Sequence, residues 1–290
     1  MTISVVLKGR LGNQLFQYAT LRSIGLKNNY NISINTNFEW HGQKCFLNHF
    51  NIPPNVFSNN NNNTFIYKYN QPAIADKYGC FNSMVHSSIL TIRDNTLLEG
   101  HFENEDFFKE HRYIIMNELV LKDDIQNNNN IEFINNIKKN NDNCVIVGIH
   151  IRRGDVYSQN SFDENNVFEF INKSIEFIKK KNNNFFCILF IGGSRVSNGS
   201  NNWVENTHQQ DIDWINSYSN IFPYKNIISP GSLSNDELLD FSLLTLCDYN
   251  ILTLKSTFSW MAAYVNKNNN KKTLVNKKSM LPPAEKFIVL

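Results

Sequence analysis

Much of what would classify this chain at sight is missing. No apolar run is long enough to span a bilayer, and the opening stretch Met1 to Leu7, interrupted by Lys8 to Arg10, is too short for a signal peptide. The five cysteines (Cys45, Cys80, Cys144, Cys187, Cys247) are odd in number and widely spaced, and most lie in apolar runs. Without a C-x-x-C pair or a Cys/His ladder they exclude a disulfide framework and a zinc site, and they point to a reducing, cytoplasmic compartment. An excess of one charge is absent too: 28 Lys and Arg stand against 26 Asp and Glu, and the lysines are dispersed, which excludes a nucleic-acid binder. There is no internal repeat. Neither G-x-x-x-x-G-K-[ST] nor G-x-G-x-x-G occurs, so the chain has no Walker loop and no dinucleotide fingerprint.

What is present is apolar material in quantity. Hydrophobic residues make up 41% of the 290 residues, with 22 Phe among them, enough for two cores in two linked lobes. The mean hydropathy of -0.38 comes largely from asparagine runs such as Asn59 to Asn63, which read as solvated loop tips. Ile3 to Leu7 is a β-branched run that ends at Gly9, and a helical pattern follows over Leu15 to Leu26. After an irregular middle, Phe102 to Leu119 and Ile125 to Ile137 read as helices. The later part alternates regularly. Strands are expected at 144–151, 185–191, 226–228, 249–254 and 273–275, and helices at 167–180, near Trp214, at 236–247 and at 257–265. Alternation of this kind predicts parallel sheets in an α/β fold, with a boundary near residue 140 separating lobes 1–140 and 141–290.

Open α/β sheets bind ligands beyond the carboxyl ends of their strands, so three loops stand out. His150-Ile151-Arg152-Arg153-Gly154-Asp155 closes the strand at 144–151. Alternation puts His150 and Arg152 on one side and Ile151 and Arg153 on the other; two guanidinium forks there suit a pyrophosphate. The competing reading is an ion pair between Arg153 and Asp155. Lys255-Ser256-Thr257-Phe258 comes after the strand at 249–254 and opens a helix, where N–H groups and hydroxyls can hold phosphate or where a serine simply caps. Lys8-Gly9-Arg10-Leu11-Gly12-Asn13-Gln14 links the first strand and helix, as a ligand-facing loop or as a tight turn with an asparagine cap.

In this order the three loops resemble the α-1,2-fucosyltransferases of glycosyltransferase family 11. Gly9 to Ala19 (G-R-L-G-N-Q-L-F-Q-Y-A), His150 to Asp155, and Asp240 to Cys247 with Ser256 to Tyr264 after it are similar to that family's motifs, and Leu98 to Phe102 to a weaker one. The resemblance implies a GT-B-like fold of two facing Rossmann-like lobes, with the acceptor on the first and GDP-fucose on the second. It implies an inverting transfer to a sugar hydroxyl, the 2-OH of a galactoside, with no metal or other cofactor. The partners it implies are a nucleotide-sugar donor and a glycan acceptor. Carried onto this chain, Arg152 is the main pyrophosphate ligand and Arg153 and Gly154 support it. Ser256, Thr257 and Phe258 hold the far side of the phosphates, and Asn198 also serves the donor. Gly9, Arg10, Gly12, Asn13 and Gln14 meet fucose or acceptor.

The segment Ser197-Asn198-Gly199 to Trp203 replaces the F-S-D-D-x-x-W of many bacterial members and looks like the animal branch. Tyr249 and Lys255 also depart from the family's usual residues. For the general base, Asp155, Glu103, Asp163 and His150 are candidates, with Asp155 preferred and His150 beside it. Asp211-Ile212-Asp213 spells the D-x-D of metal-dependent transferases. The alternatives are a GDP-sugar-binding pseudoenzyme and a protein O-fucosyltransferase.

Overall fold

The computed structural model describes residues 1–37, 44–59, 65–74, 83–123, 128–154, 162–192, 207–278 and 281–290. The chain forms two compact units, Met1–Lys122 with Met280–Glu285, and Asp123–Ser279 with Lys286–Leu290. Each is an α/β unit on a parallel sheet. Among the described residues no helix is long and apolar enough to cross a membrane.

The first unit holds strands β1 (Thr2–Val6), β2 (Asn31–Asn35), β3 (Phe57–Ser58), β4 (Tyr67–Asn70) and β5 (Thr96–Glu99). Their order is β3-β2-β1-β5-β4, and every pairing is parallel. Helix α1 (Leu11–Asn28) comes after β1 and is buried on nearly all sides. Several of its polar residues are tied off. Tyr18 Oη donates to Glu118 Oε2 at 2.6 Å, and Arg22 Nη2 donates to Glu118 Oε1 at 2.7 Å. Asn29, in the left-handed conformation, ends the helix.

The helix expected over Phe102 to Leu119 does not form. Phe102 lies in the left-handed region at φ 54°, Asn104 caps a short 3-10 turn at Glu105–Phe107, and only Arg112–Glu118 (α2) is α-helical. Three phenylalanines dictate this path. Phe102, Phe107 and Phe108 are all buried, and Phe102 meets Phe107 edge-on at 5.4 Å and Phe108 meets Phe16 at 5.9 Å. A continuous helix would splay rings that the core needs together.

The division between the units falls at 122/123 and not near 140, because the helix α3 (Asn128–Asn140) packs with the second unit. Its Ile134 is buried, Asn130 Nδ2 donates to Ser242 Oγ at 2.9 Å, and Lys138 pairs with Asp248 at 3.0 Å.

In the second unit the strands are β6 (Val145–Arg152), β7 (Phe185–Gly192), β8 (Asn226–Ile228), β9 (Tyr249–Leu252), β10 (Lys272–Val275) and β11 (Ile288–Val289). They run in the order β11-β10-β9-β6-β7-β8, again all parallel. Among its described residues are helices α4 (Glu164–Lys179), α5 (Thr207–Ile221), α6 (Pro230–Ser234), α7 (Glu237–Leu246) and α8 (Thr257–Val265). Val147, Ile149 and Ile151 of β6 enter one core with Val167, Ile171 and Ile175 of α4 and Ile215 of α5. The opposite face carries Gly148, His150 and Arg152, as the two-residue strand period requires.

Candidate functional site

The carboxyl end of β6 is pinned on both sides. On one, the His150 carbonyl accepts from Thr253 Oγ1 at 3.0 Å; on the other, Arg153 N donates to the Gly192 carbonyl at 3.0 Å. Beyond these anchors the two arginines part company.

Arg152 is half-buried and its Nη1 donates to the Lys255 carbonyl at 2.6 Å. This bond fixes its guanidinium against the loop that opens α8. Ser256 is the N-cap of that helix, its Oγ accepting from Ser259 N at 3.4 Å, so the capping reading holds for Ser256. Thr257, the next residue, is nearly buried, and Phe258 is half-buried. A permanently charged fork thus stands beside a helix start, where the macrodipole favours an anion.

Arg153 turns the other way. It is buried and forms an ion pair with Asp211 of α5, with its guanidinium carbon 5.1 Å from the Trp214 ring centre and 5.9 Å from that of Phe162. It is the terminal member of the Val147–Ile149–Ile151 face and closes that core with a paired charge. Arg153 is thus held in the core by Asp211, on the other side of the strand from Arg152. Asp211 is a partner of Arg153 that proximity in sequence could not reveal, and Asp155 lies outside the described residues.

The same pair disposes of D-x-D as a presented motif. Asp211 is consumed by Arg153, while exposed Asp213 accepts from Gln209 Nε2 at 2.7 Å on the outer side of α5. Residues two apart on a helix point in different directions. Among the described residues no group of three or more His, Cys, Asp or Glu is arranged to hold a metal ion.

His150 is buried against Phe258, ring centres 5.6 Å apart. Burial, aided by the Arg152 charge, lowers its pKa from 6.5 to about 3. The neutral ring packs the strand end beside Phe258. Asp163 is the N-cap of α4, accepting from Asn166 N at 3.1 Å. Gly154 is buried next to Arg153. Asp155 and Asn198 lie outside the described residues.

A buried carboxylate that stands out in the sequence only as the first residue of a motif ties this end of the sheet together. Asp240, in the first turn of α7, accepts from Ser229 Oγ and, at 2.7 Å, from Ser232 Oγ, and Ser232 Oγ in turn accepts from Ile191 N at 3.0 Å. Burial pushes its pKa up to about 7 against the lowering effect of the two serines.

In the first unit the Gly9–Gln14 loop adopts the conformation that its glycine permits. Gly9 has φ 75°, and a Cβ there would lie 2.9 Å from Asn13 Cγ, so the close approach of Asn13 requires glycine. Arg10 takes the N-cap position of α1 without a side-chain cap, and Gly12 is buried in the first turn. Gln14 faces inward: its Nε2 donates to the Gly9 and Lys44 carbonyls at 3.2 and 3.0 Å, and its Oε1 accepts from Phe46 N at 2.8 Å. It is fully buried and knits loops together. Gln17 and Gln71, unsuspected in the sequence, do the same work. Gln17 bridges Lys8 and Gly100, and Gln71 Oε1 accepts from the N–H groups of His101 and Phe102 at 2.9 and 3.0 Å.

Asn13 is different. Its Nδ2 donates to Glu103 Oε1 at 3.0 Å and lies 3.1 Å from His101 Nδ1. Nearby Glu99 is clamped by Lys8 and Lys68, which hold its pKa at about 2.

A family model, Glycosyl transferase family 11, matches residues 2–282. The chain belongs to glycosyl transferase family 11. This is a fucosyltransferase family whose donor is GDP-fucose. No curated protein matches the chain by sequence alone. Among solved structures, POFUT1 in complex with GDP aligns with a TM-score of 0.53 at 10% identity, over 94% of this chain and 96% of that one. NodZ α-1,6-fucosyltransferase soaked with GDP-fucose aligns with a TM-score of 0.50 at 16% identity, over 91% of each chain. An Arabidopsis thaliana FUT1 mutant in complex with GDP aligns at 0.46 and 11% identity, over 96% of this chain and 71% of that one. The first two likenesses establish for this family 11 member a GT-B fold, each unit a parallel α/β sheet.

Proposed function

We propose that this family 11 member transfers L-fucose from GDP-fucose to a sugar hydroxyl, the 2-OH of a galactoside, with inversion and without a metal. The observation that carries the reading is Arg152, held by the Lys255 carbonyl at the start of α8. A fixed cation beside a helix start is suited to a pyrophosphate whose charge grows as the sugar leaves. Because the bond to Lys255 sets its direction beforehand, little reorganisation is needed during reaction. The second unit is then the donor side and the first the acceptor side, with Asn13 meeting acceptor or fucose.

The test is GDP release from GDP-fucose with a panel of β-galactosides and peptides, with and without EDTA. Release that depends on a galactoside and survives EDTA supports the reading. Release only with a peptide makes the chain a protein O-fucosyltransferase. GDP binding without release from any acceptor makes it a pseudoenzyme, and loss of activity with EDTA overturns the metal-free mechanism.

A further inference from the structure

Lysines that lie far apart in the sequence are gathered by the fold of the second unit. In a parallel sheet each helix returns the chain to the amino end, so the ends of α3, α4, α5 and α8 and the starts of β6, β7, β8 and β10 share one rim. The loops of that rim are tied together. Asn184 Nδ2 donates to the carbonyls of Asn141 and Asp142, each at 3.1 Å, and Lys225 Nζ donates to Asn141 Oδ1 at 3.3 Å. Asn268 Nδ2 donates to Asp248 Oδ1 at 2.9 Å. Lys139, Lys180, Lys181, Lys225 and Lys267 stand exposed on this rim. Two of its carboxylates are already used, Glu176 by Lys179 and Asp248 by Lys138, and among the described residues none pairs with the five exposed lysines. Cations at helix ends complement the macrodipole, which accounts for Lys139 and Lys180. It does not account for Lys225, which lies on no helix, nor for the apolar side chains before it. Ile221 is 73% exposed, and Pro223 is exposed between it and Lys225. At the same corner Lys179 covers the Tyr224 ring at 4.6 Å and Lys181 the Phe177 ring at 5.1 Å.

We propose that the amino rim of the second unit is a docking surface for an anionic phospholipid bilayer, bound reversibly and from one side. Lysine ammonium groups meet the headgroup phosphates there, and Ile221 and Pro223 enter the boundary between headgroups and acyl chains. A nucleic-acid backbone would use the lysines but has no place for an exposed isoleucine, so the bilayer is the better match. Arg152 stands at the opposite rim of the same sheet. The eight residues of β6 separate the two rims by on the order of 25 Å, so a bilayer on the amino rim stays clear of the Arg152 end. The surface is independent of the reading of Arg152 as a donor ligand.

Co-sedimentation of the full chain with lipid vesicles is the test. Binding is expected to vesicles of phosphatidylcholine mixed with phosphatidylglycerol, not to phosphatidylcholine alone, and it should fall as salt is raised. Lys180→Glu with Lys225→Glu should weaken it on the order of 25-fold or more, about fivefold for each lysine removed, at an unchanged melting temperature. Lys277→Glu with Lys278→Glu makes the same change in net charge beyond the far end of β10 and should cost less than about fivefold. Ile221→Ser should weaken binding severalfold while keeping its salt dependence, which attraction by bulk charge would not show. Should the double rim variant fail to fold, Lys225→Gln alone is expected to lose about fivefold. Failure to bind anionic vesicles, equal binding to both vesicle types, or an equal loss in the two double variants overturns docking at this rim. Retention of the chain by RNA in place of vesicles overturns it as well, and assigns the lysines to a phosphate backbone.

Discussion

The two units use one architecture with different side chains at its rim. Both present the carboxyl ends of a parallel sheet, yet the second places an arginine beside a helix start there, and the first places amides, an imidazole and carboxylates. The difference lies in the segment that leaves each strand. After β9 the chain soon enters α8, whose start stands at the rim. After β5 it turns through Phe102, and side chains take over the rim. A parallel sheet fixes where ligands bind, and the connecting loop decides which ligands those are.

The sharpest way to break the comparison is to disable each rim in turn. Arg152→Ala is expected to cost on the order of 100-fold or more in turnover and to weaken GDP binding. Asn13→Ala should impair transfer while leaving GDP affinity near wild type. Steady-state kinetics with calorimetric GDP titration measures both; equal loss of GDP affinity in the two variants would erase the division of labour.

Next in size is Asp211→Ala, which leaves Arg153 buried without its carboxylate and should destabilise the second unit by about 3–5 kcal/mol. Asp213→Ala, on the exposed side of the same helix, should stay within about 0.5 kcal/mol in denaturant unfolding. In the first unit, Gly9→Ala forces a Cβ onto Asn13 at positive φ, for about 1–3 kcal/mol, read as a lowered melting temperature.

The smallest effect concerns pH and belongs to the second unit. Asp240 titrates near 7 when folded and near 3.8 when unfolded, so its contribution to stability grows on acidification and is lost as pH rises through about 7. His150 opposes it. The unfolded imidazole gains a proton below about 6.5 while the buried one stays neutral to about 3, so stability is lost as pH falls through that window. The two trends offset each other in wild type between about pH 4 and 6.5. In Asp240→Asn only the histidine remains, and melting temperature should fall more steeply on acidification than in wild type.

The sequence made the second unit readable and the first much less so, for a physical reason. β6 and β7 are eight-residue strands buried on both faces, so they appear as long apolar runs. β3 has two residues, and β4 is a largely exposed Tyr-Lys-Tyr-Asn at the sheet edge, where no apolar pattern is needed. Partners divided in the same way. The turn of His150 and Arg152 away from Arg153 is a product of strand alternation. The Arg153–Asp211 pair and the convergence of His101 and Glu103 on Asn13 join residues distant in sequence, and no local spacing encodes them.

The chain's return at 281–285 has a consequence for biosynthesis. Glu285 completes the first unit, its N–H donating to Glu105 Oε2 at 2.8 Å and its carboxylate meeting Arg112 at 3.2 Å, before Ile288–Val289 adds the edge strand β11 to the second. Closure of the first unit therefore draws on a segment synthesised after strands β6 to β10 of the second.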